Sequence, residues 1–414
     1  MIQKDFKLSK AGEIPKEWDS MPLLELFDFG NGYTPSKADS AFWINGTIPW
    51  FRVEDIRING HILNDAIQKI TPLAVKGDLF PKNSFIISTS ATIGEYAYVT
   101  KPYLANQRFV CLIKRATANQ LLDDGYFLCL CESLGQWCRD NCDQGSSFPS
   151  VNMQSFRNHH IPLPPLAEQK KIAKALSDVD ALINYLDGLI AKKRDIKQGT
   201  MQQLLTGKKR LPGYTDKWKS SAMWELTAWD KFFSEVEKGK QKKVIRYPYI
   251  LAANMEAMEQ ANGNVYLLAT GNYEGWTTEE IAGSYLCEGE VVSIPWGGYA
   301  NIKYTKGKFV TADNRIATSL DTSILDNKYL YYYMLQNKKT FDSFYRGAGI
   351  QHPSMADVLD FEILYPSINE QRAIATVLTD MDNEIQALEA KRDKYTAIKQ
   401  GMMQELLTGK IRLV

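Results

Sequence analysis

Residues 161–211 and 363–413 are two copies of one segment, aligned without a gap and identical at about half of their positions, far beyond chance for such lengths. Glu168-Gln169 matches Glu370-Gln371, and Asp178 and Asp180 match Asp380 and Asp382. The ends agree best: Ile196-Lys197-Gln198-Gly199 with Ile398-Lys399-Gln400-Gly401, and Leu204-Leu205-Thr206-Gly207-Lys208 with Leu406-Leu407-Thr408-Gly409-Lys410. Any fold for this chain must therefore use one element twice.

Both copies have the grammar of a long helix. Pro164 and Pro165, or Pro366, stop what precedes, and Glu168 or Glu370 suits a helix N-terminus. Ile172, Leu176, Val179, Ile183, Leu186 and Ile190 alternate steps of four and three, as do Ile374, Leu378, Met381, Ile385 and Leu388. That is a coiled-coil seam. Gly207 and Gly409 stand where a C-terminal glycine cap belongs. Each helix should run some 40 residues, or roughly 60 Å. A surface helix packed on its own globule is the plainer reading of one such stripe. Two matching seams favour antiparallel pairing with each other, which lets a duplicated chain close with near two-fold symmetry.

A segment of about 150 residues precedes each helix, an ordinary domain size. Their landmarks recur in order. Pro15-Lys16-Glu17-Trp18 precedes the first, and Pro212 to Trp218 the second. Strand-like runs with glycine turns follow, Ile86 to Gly94 and Val291 to Gly298. Next come Ala105-Asn106-Gln107-Arg108 and Ala312-Asp313-Asn314-Arg315, then helical stretches at Tyr126–Cys138 and Tyr329–Lys339. A Gly/Ser turn, Gly145 to Ser150 or Gly347 to Ser354, leads into the strand before each long helix. Each segment reads as an α+β globule, so the boundaries are 1–160 globule, 161–211 helix, 212–362 globule and 363–414 helix. The helices are preserved while the globules diverge: one shared job for the helices, and one kind of job on different targets for the globules.

The EQ-x-x-I-A-x-x-L-x-D-x-D start and LLTGK end, recurring after two dissimilar globules, resemble the specificity subunits of type I restriction-modification systems. The resemblance covers essentially the whole chain. It implies two target recognition domains, each reading half of a split DNA sequence, so the site should be bipartite and asymmetric. It implies that the paired helices set the spacer and dock two modification (methyltransferase) subunits, with restriction subunits joining later. For that docking Glu168, Gln169, Glu370 and Gln371 are singled out. S-adenosylmethionine, and ATP with Mg2+ for restriction, are implied for the partners, with no cofactor in this chain.

Base readers are expected on the polar and glycine-rich loops around the strand–turn features. In the first globule these are Ser90, Thr92, Asn106, Gln107, Arg108 and Ser146; in the second, Trp296, Tyr299, Asn314, Arg315, Gln351 and His352. Asn and Gln suit adenine, Arg suits guanine, and the aromatics could wedge or stack. The competing reading is that many of them only satisfy turn backbones. For phosphates the chain offers Lys238, Lys240, Lys242, Lys243 and Arg246, with Arg52, Arg57 and Lys114 as looser candidates; a solvated charged loop is the plain alternative.

Charge gives no help, because 49 basic residues meet 48 acidic ones. Six cysteines are no disulfide scaffold, and Cys129, Cys131, Cys138 and Cys142 lack a CxxC pair, so they read as inert buried thiols in a reducing cytoplasm. His159-His160 precede a strand with nothing nearby to complete a metal site. No apolar run spans a bilayer, and MIQKDFKLSK lacks a signal-peptide core. There is no GxxxxGK[ST] loop, cofactor loop or [DN]PP[YFW] tetrapeptide. The chain therefore reads as non-catalytic. A self-contained DNA enzyme and a coiled-coil scaffold with no role at DNA remain as alternatives, the second supported by the neutral charge.

Overall fold

The computed structural model describes residues 5–143, 149–230, 240 and 243–414. Contacts gather the chain into two compact units, Met1–Leu186 with Lys391–Val414, and Asp187–Ala390. The long helices run Leu166–Leu204 and Ile368–Leu406, 39 residues each. Each unit is thus not one repeat. It joins a globule to the first half of one helix and the second half of the other.

In the first unit a five-stranded sheet has the order Phe27–Asn31, Phe109–Lys114, Ser84–Ser88, Tyr96–Val99, Ile62–Leu63. Its pairs are antiparallel except the last, which is parallel. One face packs on the helix Asp124–Asp140, through Phe85 and Phe127 among others, with ring centroids 4.8 Å apart. The other face, with Ile86, Ala97 and Cys111, meets Phe51, Ile56 and Tyr103. Both faces of the central strands are covered, so Ser84–Ser88 is buried at every position instead of alternating.

The second unit repeats the plan with a sixth strand: Thr227–Trp229, Asn314–Ser319, Cys287–Pro295, Lys303–Thr311, Val265–Leu268, Trp276–Thr277. Its helix Asn327–Gln336 is capped by Asp326, as Asp123 caps its counterpart, each carboxylate accepting from a tyrosine N–H. A two-stranded clasp lies before each long helix, Asp19–Pro22 with His160–Leu163 and Lys219–Ala222 with Glu362–Tyr365.

The helix halves pair antiparallel in each unit. In the first, Lys399 meets Asp180 at 2.5 Å and Arg412 meets Glu168 at 2.7 Å. In the second, Lys193 meets Glu384 at 2.7 Å, Arg210 meets Glu370 at 2.5 Å, and Lys197 meets Asp382. Partner numbers fall as residue numbers rise. The seam also serves the plainer reading, since Ile172 and Leu176, or Ile374 and Leu378, are buried in the core of their own globule. Gly207 and Gly409 follow the helices at φ +70° and +72°, the left-handed geometry expected of such caps. Gly409 has a second constraint, because a Cβ there would lie 2.4 Å from Pro15.

All six cysteines are free. Burial pushes the Cys138 thiol up to about 12 and the Cys129 thiol up to about 11. Among the described residues no helix is long and apolar enough to cross a membrane.

Candidate nucleic-acid interface

The duplicated Glu-Gln pairs do not face outward. Glu168, Gln169, Glu370 and Gln371 are buried, and their polar atoms are spent inside their own unit. Gln169 accepts from the Asp123 N–H at 2.8 Å and donates to the carbonyls of Leu121 and Pro164. Gln371 makes the same three bonds, to the Asp326 N–H and the carbonyls of Ile324 and Pro366. Glu168 takes two bonds from the Arg412 guanidinium at 2.7 and 2.9 Å, and Glu370 takes two from Arg210 at 2.5 and 2.6 Å. The expected partner contact is therefore corrected: these residues seat each helix on its globule, because a buried carboxylate or amide must find partners nearby. Burial raises the Glu168 pKa, but Arg412, the Trp18 indole N–H and the Leu413 N–H outweigh it and hold the carboxyl below its ordinary range.

The expected base readers gather at one end of each sheet. In the first globule Ser88 pairs with Phe109 there, and the Thr89 N–H donates to the Arg108 carbonyl at 3.0 Å. Ser90 bridges to Ser150, and the Ala91 N–H donates to the Pro149 carbonyl at 3.3 Å. Ser90 and Thr92 are half-buried, while Gln107 and Arg108 are exposed. Asn106 acts on the turn itself, its Oδ1 accepting from the Arg108 N–H at 2.9 Å. Ser146 lies outside the described residues.

In the second globule Pro295 pairs with Asn314 at the matching end. The Gly298 N–H donates to the Gln351 carbonyl at 2.9 Å, and His352 Nδ1 lies 2.7 Å from the Trp296 carbonyl. Trp296 sits between the His352 ring, at 4.9 Å, and the Arg315 guanidinium, at 3.7 Å. Tyr299, Gln351 and His352 are exposed. Two candidates are corrected. Asn314 is buried and donates to Leu268 O at 2.9 Å and Thr311 Oγ1 at 3.2 Å. Arg315 is also buried, tied to Asp313 at 3.1 Å under Trp296. Its Nη1 is held by Asp313 and the Asn314 carbonyl, so this buried, stacked guanidinium builds the loop and does not stand out toward a base, while its Nε has no hydrogen-bond partner among the described residues.

The phosphate candidates divide as well. Lys114 is spent on Asp124 at 2.5 Å and Lys240 on Asp360 at 2.5 Å. Arg57 meets Glu95 at 3.7 Å, and Lys243 is exposed. Lys238 and Lys242 lie outside the described residues. Sequence reasoning missed Arg210 and Arg412, although both copies carry them at the same place. It also missed Thr34 and Lys37, which reach the first sheet end from a loop about 70 residues from Arg108 and left no local signal.

The chain matches the family described as type I restriction modification DNA specificity domain twice, over residues 15–192 and 229–396. It is 33% identical over 379 residues to the type I restriction enzyme EcoprrI specificity subunit of Escherichia coli, covering 91% of this chain and 89% of that one. It is 23% identical over 436 residues to the MjaVIII specificity subunit of Methanocaldococcus jannaschii, covering 99% and 97%. Among solved structures, the type I restriction-modification S subunit of M. genitalium shares the fold at a TM-score of 0.60 with 15% identity, over 94% of this chain and 96% of that one. A chain from a structural study of complex assembly in a type I R-M system matches at 0.54 with 14% identity, over 96% and 99%.

Proposed function

We propose how a chain that belongs to the type I restriction-modification DNA specificity family reads its target: through the loops at one end of each globule's sheet. The family role is recognition without catalysis, by two target recognition domains. One observation carries the reading. The same three segments meet at that end in both globules: a hairpin turn, the start of the next strand and the loop after the helix. Yet their side chains differ, with Ser90, Thr92 and Gln107 in one globule and Trp296, Tyr299, Gln351 and His352 in the other. A shared backbone with different side chains suits two different half-sites.

On this reading the site is bipartite and asymmetric, with an unread spacer set by the paired helices. The partners are double-stranded DNA, two methyltransferase subunits docked on the helices, and restriction subunits. S-adenosylmethionine, ATP and Mg2+ act in those partners. Docking surfaces must then be sought on the exposed helix faces, since the Glu-Gln pairs are internal.

Methylation-site mapping of DNA from cells holding this chain and its methyltransferase tests the reading. The expected result is a split motif, with Gln351→Ala and His352→Ala together changing one half only. A continuous motif, a palindrome or no motif would overturn it.

A further inference from the structure

We infer that the first globule carries a preformed site for a DNA backbone phosphate, held by Lys37, Arg52 and Arg108; the inference rests on the DNA reading proposed above. These side chains come from three separate segments and line one small cleft of about 170 Å³, together with Glu54 and Asn106. Arg108 and Lys37 are exposed, and neither forms an ion pair among the described residues. Arg52 lies 5.9 Å from the Trp50 ring, and its Nε is buried without a hydrogen-bond partner among the described residues, 3.8 Å from a Glu54 oxygen. The neighbouring Asp55 carboxylate is spent on the N–H groups of Arg52 and Ile67, each at 2.7 Å. Three cations thus face one partly solvated carboxylate, an imbalance that favours an anion.

The cleft is built, not merely charged. The Gly32 N–H donates to Phe109 O at 3.1 Å, the Tyr33 N–H to Ala105 O at 2.8 Å, and the Asn106 N–H to Phe51 O at 2.9 Å. The Trp50 indole N–H donates to Tyr33 O at 2.9 Å, and Thr34 Oγ1 bonds Gln107. A Cβ on Gly32 would lie 2.2 Å from Asn106 O, so only glycine lets the Lys37 loop come this close. With the three segments tied by backbone bonds, the cations are brought together before any ligand arrives. Three converging cationic side chains suit phosphate oxygens. Arg108, first expected to read guanine, is thereby assigned to the backbone at the edge of the reading end.

The test uses the complex with its methyltransferase, on one duplex carrying the mapped motif and one lacking it. The double variant Lys37→Gln, Arg108→Gln should weaken binding to both duplexes by the same factor, on the order of tenfold for each cation. It should lower the slope of log K against log salt by about 2 and leave the methylated motif unchanged. Glu54→Gln removes the one carboxylate and should tighten binding to both duplexes, a gain that misfolding cannot produce. Relaxation of one half-site with an unchanged salt slope would overturn the assignment in favour of base reading, and unaltered binding in all variants would overturn it outright. A wild-type complex that reads no split motif fails before the variants are compared, and that failure belongs to the functional reading.

Discussion

The seats of the two long helices share a glutamine and a glutamate wired alike, and they part in the bonds around the tryptophan. Each has a buried glutamine with the same three partners and a buried glutamate gripped twice by one arginine. In the first seat the Trp18 indole N–H donates to Glu168 at 3.1 Å, and Arg412 also reaches Glu17 at 2.9 Å. In the second, the Trp218 N–H is buried without a partner among the described residues, and Lys217 stands where Glu17 stood. Both guanidinium groups lie 5.6 Å from their tryptophan. The glutamine's bonds to backbone and the Glu–Arg grip were kept through divergence, and the bonds around the tryptophan drifted. Losing the glutamine strands three polar groups, whereas losing the indole bond strands one.

The largest effect should come where the seats agree. Gln169→Leu and Gln371→Leu should each cost on the order of 3 kcal/mol, by similar amounts, in chemical denaturation. A much smaller loss at either would break the equivalence. Acid should loosen the first seat next. Glu168 has its carboxyl held below the ordinary value, so its contribution is fully present above that value and fades as pH falls through the lowered one. Exchange protection of residues 391–414, followed from about pH 6 to about pH 3, should fall over that window and should stay flat in Glu168→Gln. The indoles give a finer contrast: Trp18→Phe should cost about 1 kcal/mol more than Trp218→Phe, whose N–H has no bond to lose. The smallest difference lies along the paired helices. Lys197 meets Asp382, which also accepts from Tyr332 at 2.8 Å, while the equivalent Lys399 meets only Asp180 among the described residues. Lys197→Met should exceed Lys399→Met by about 0.5 kcal/mol, measured by a double-mutant cycle with each aspartate.

Much of the frame was legible beforehand because helices announce themselves locally. The prolines before Leu166 and Ile368, the seam spacing and the glycines at 207 and 409 all act within a few residues of themselves. The reading ends were legible as a place but not as a list. Asn314 looked like a base reader because it is a polar residue at a turn, and its partner Leu268 lies 46 residues away. The Glu-Gln pairs misled for a related reason. Repetition reports that a residue is constrained, and a buried polar group satisfied inside its unit looks the same in sequence as one awaiting a partner. The stack of half-buried Trp296 on buried Arg315 likewise needed the strand register to bring Arg315 opposite Ile294.

The division of the chain also sets a schedule. Asp187–Ala390 is one continuous stretch, whereas the other unit needs Met1–Leu186 and Lys391–Val414 together. On a ribosome adding ~5–20 residues per second, the first globule waits on the order of tens of seconds for residues 391–414. Until then Glu168 lacks Arg412, and Ile172 and Leu176 lack Leu406 and Leu407. Of the two globules the one made first is finished last, so a chain stalled or clipped before residue 391 leaves apolar surface exposed on the globule synthesised earlier.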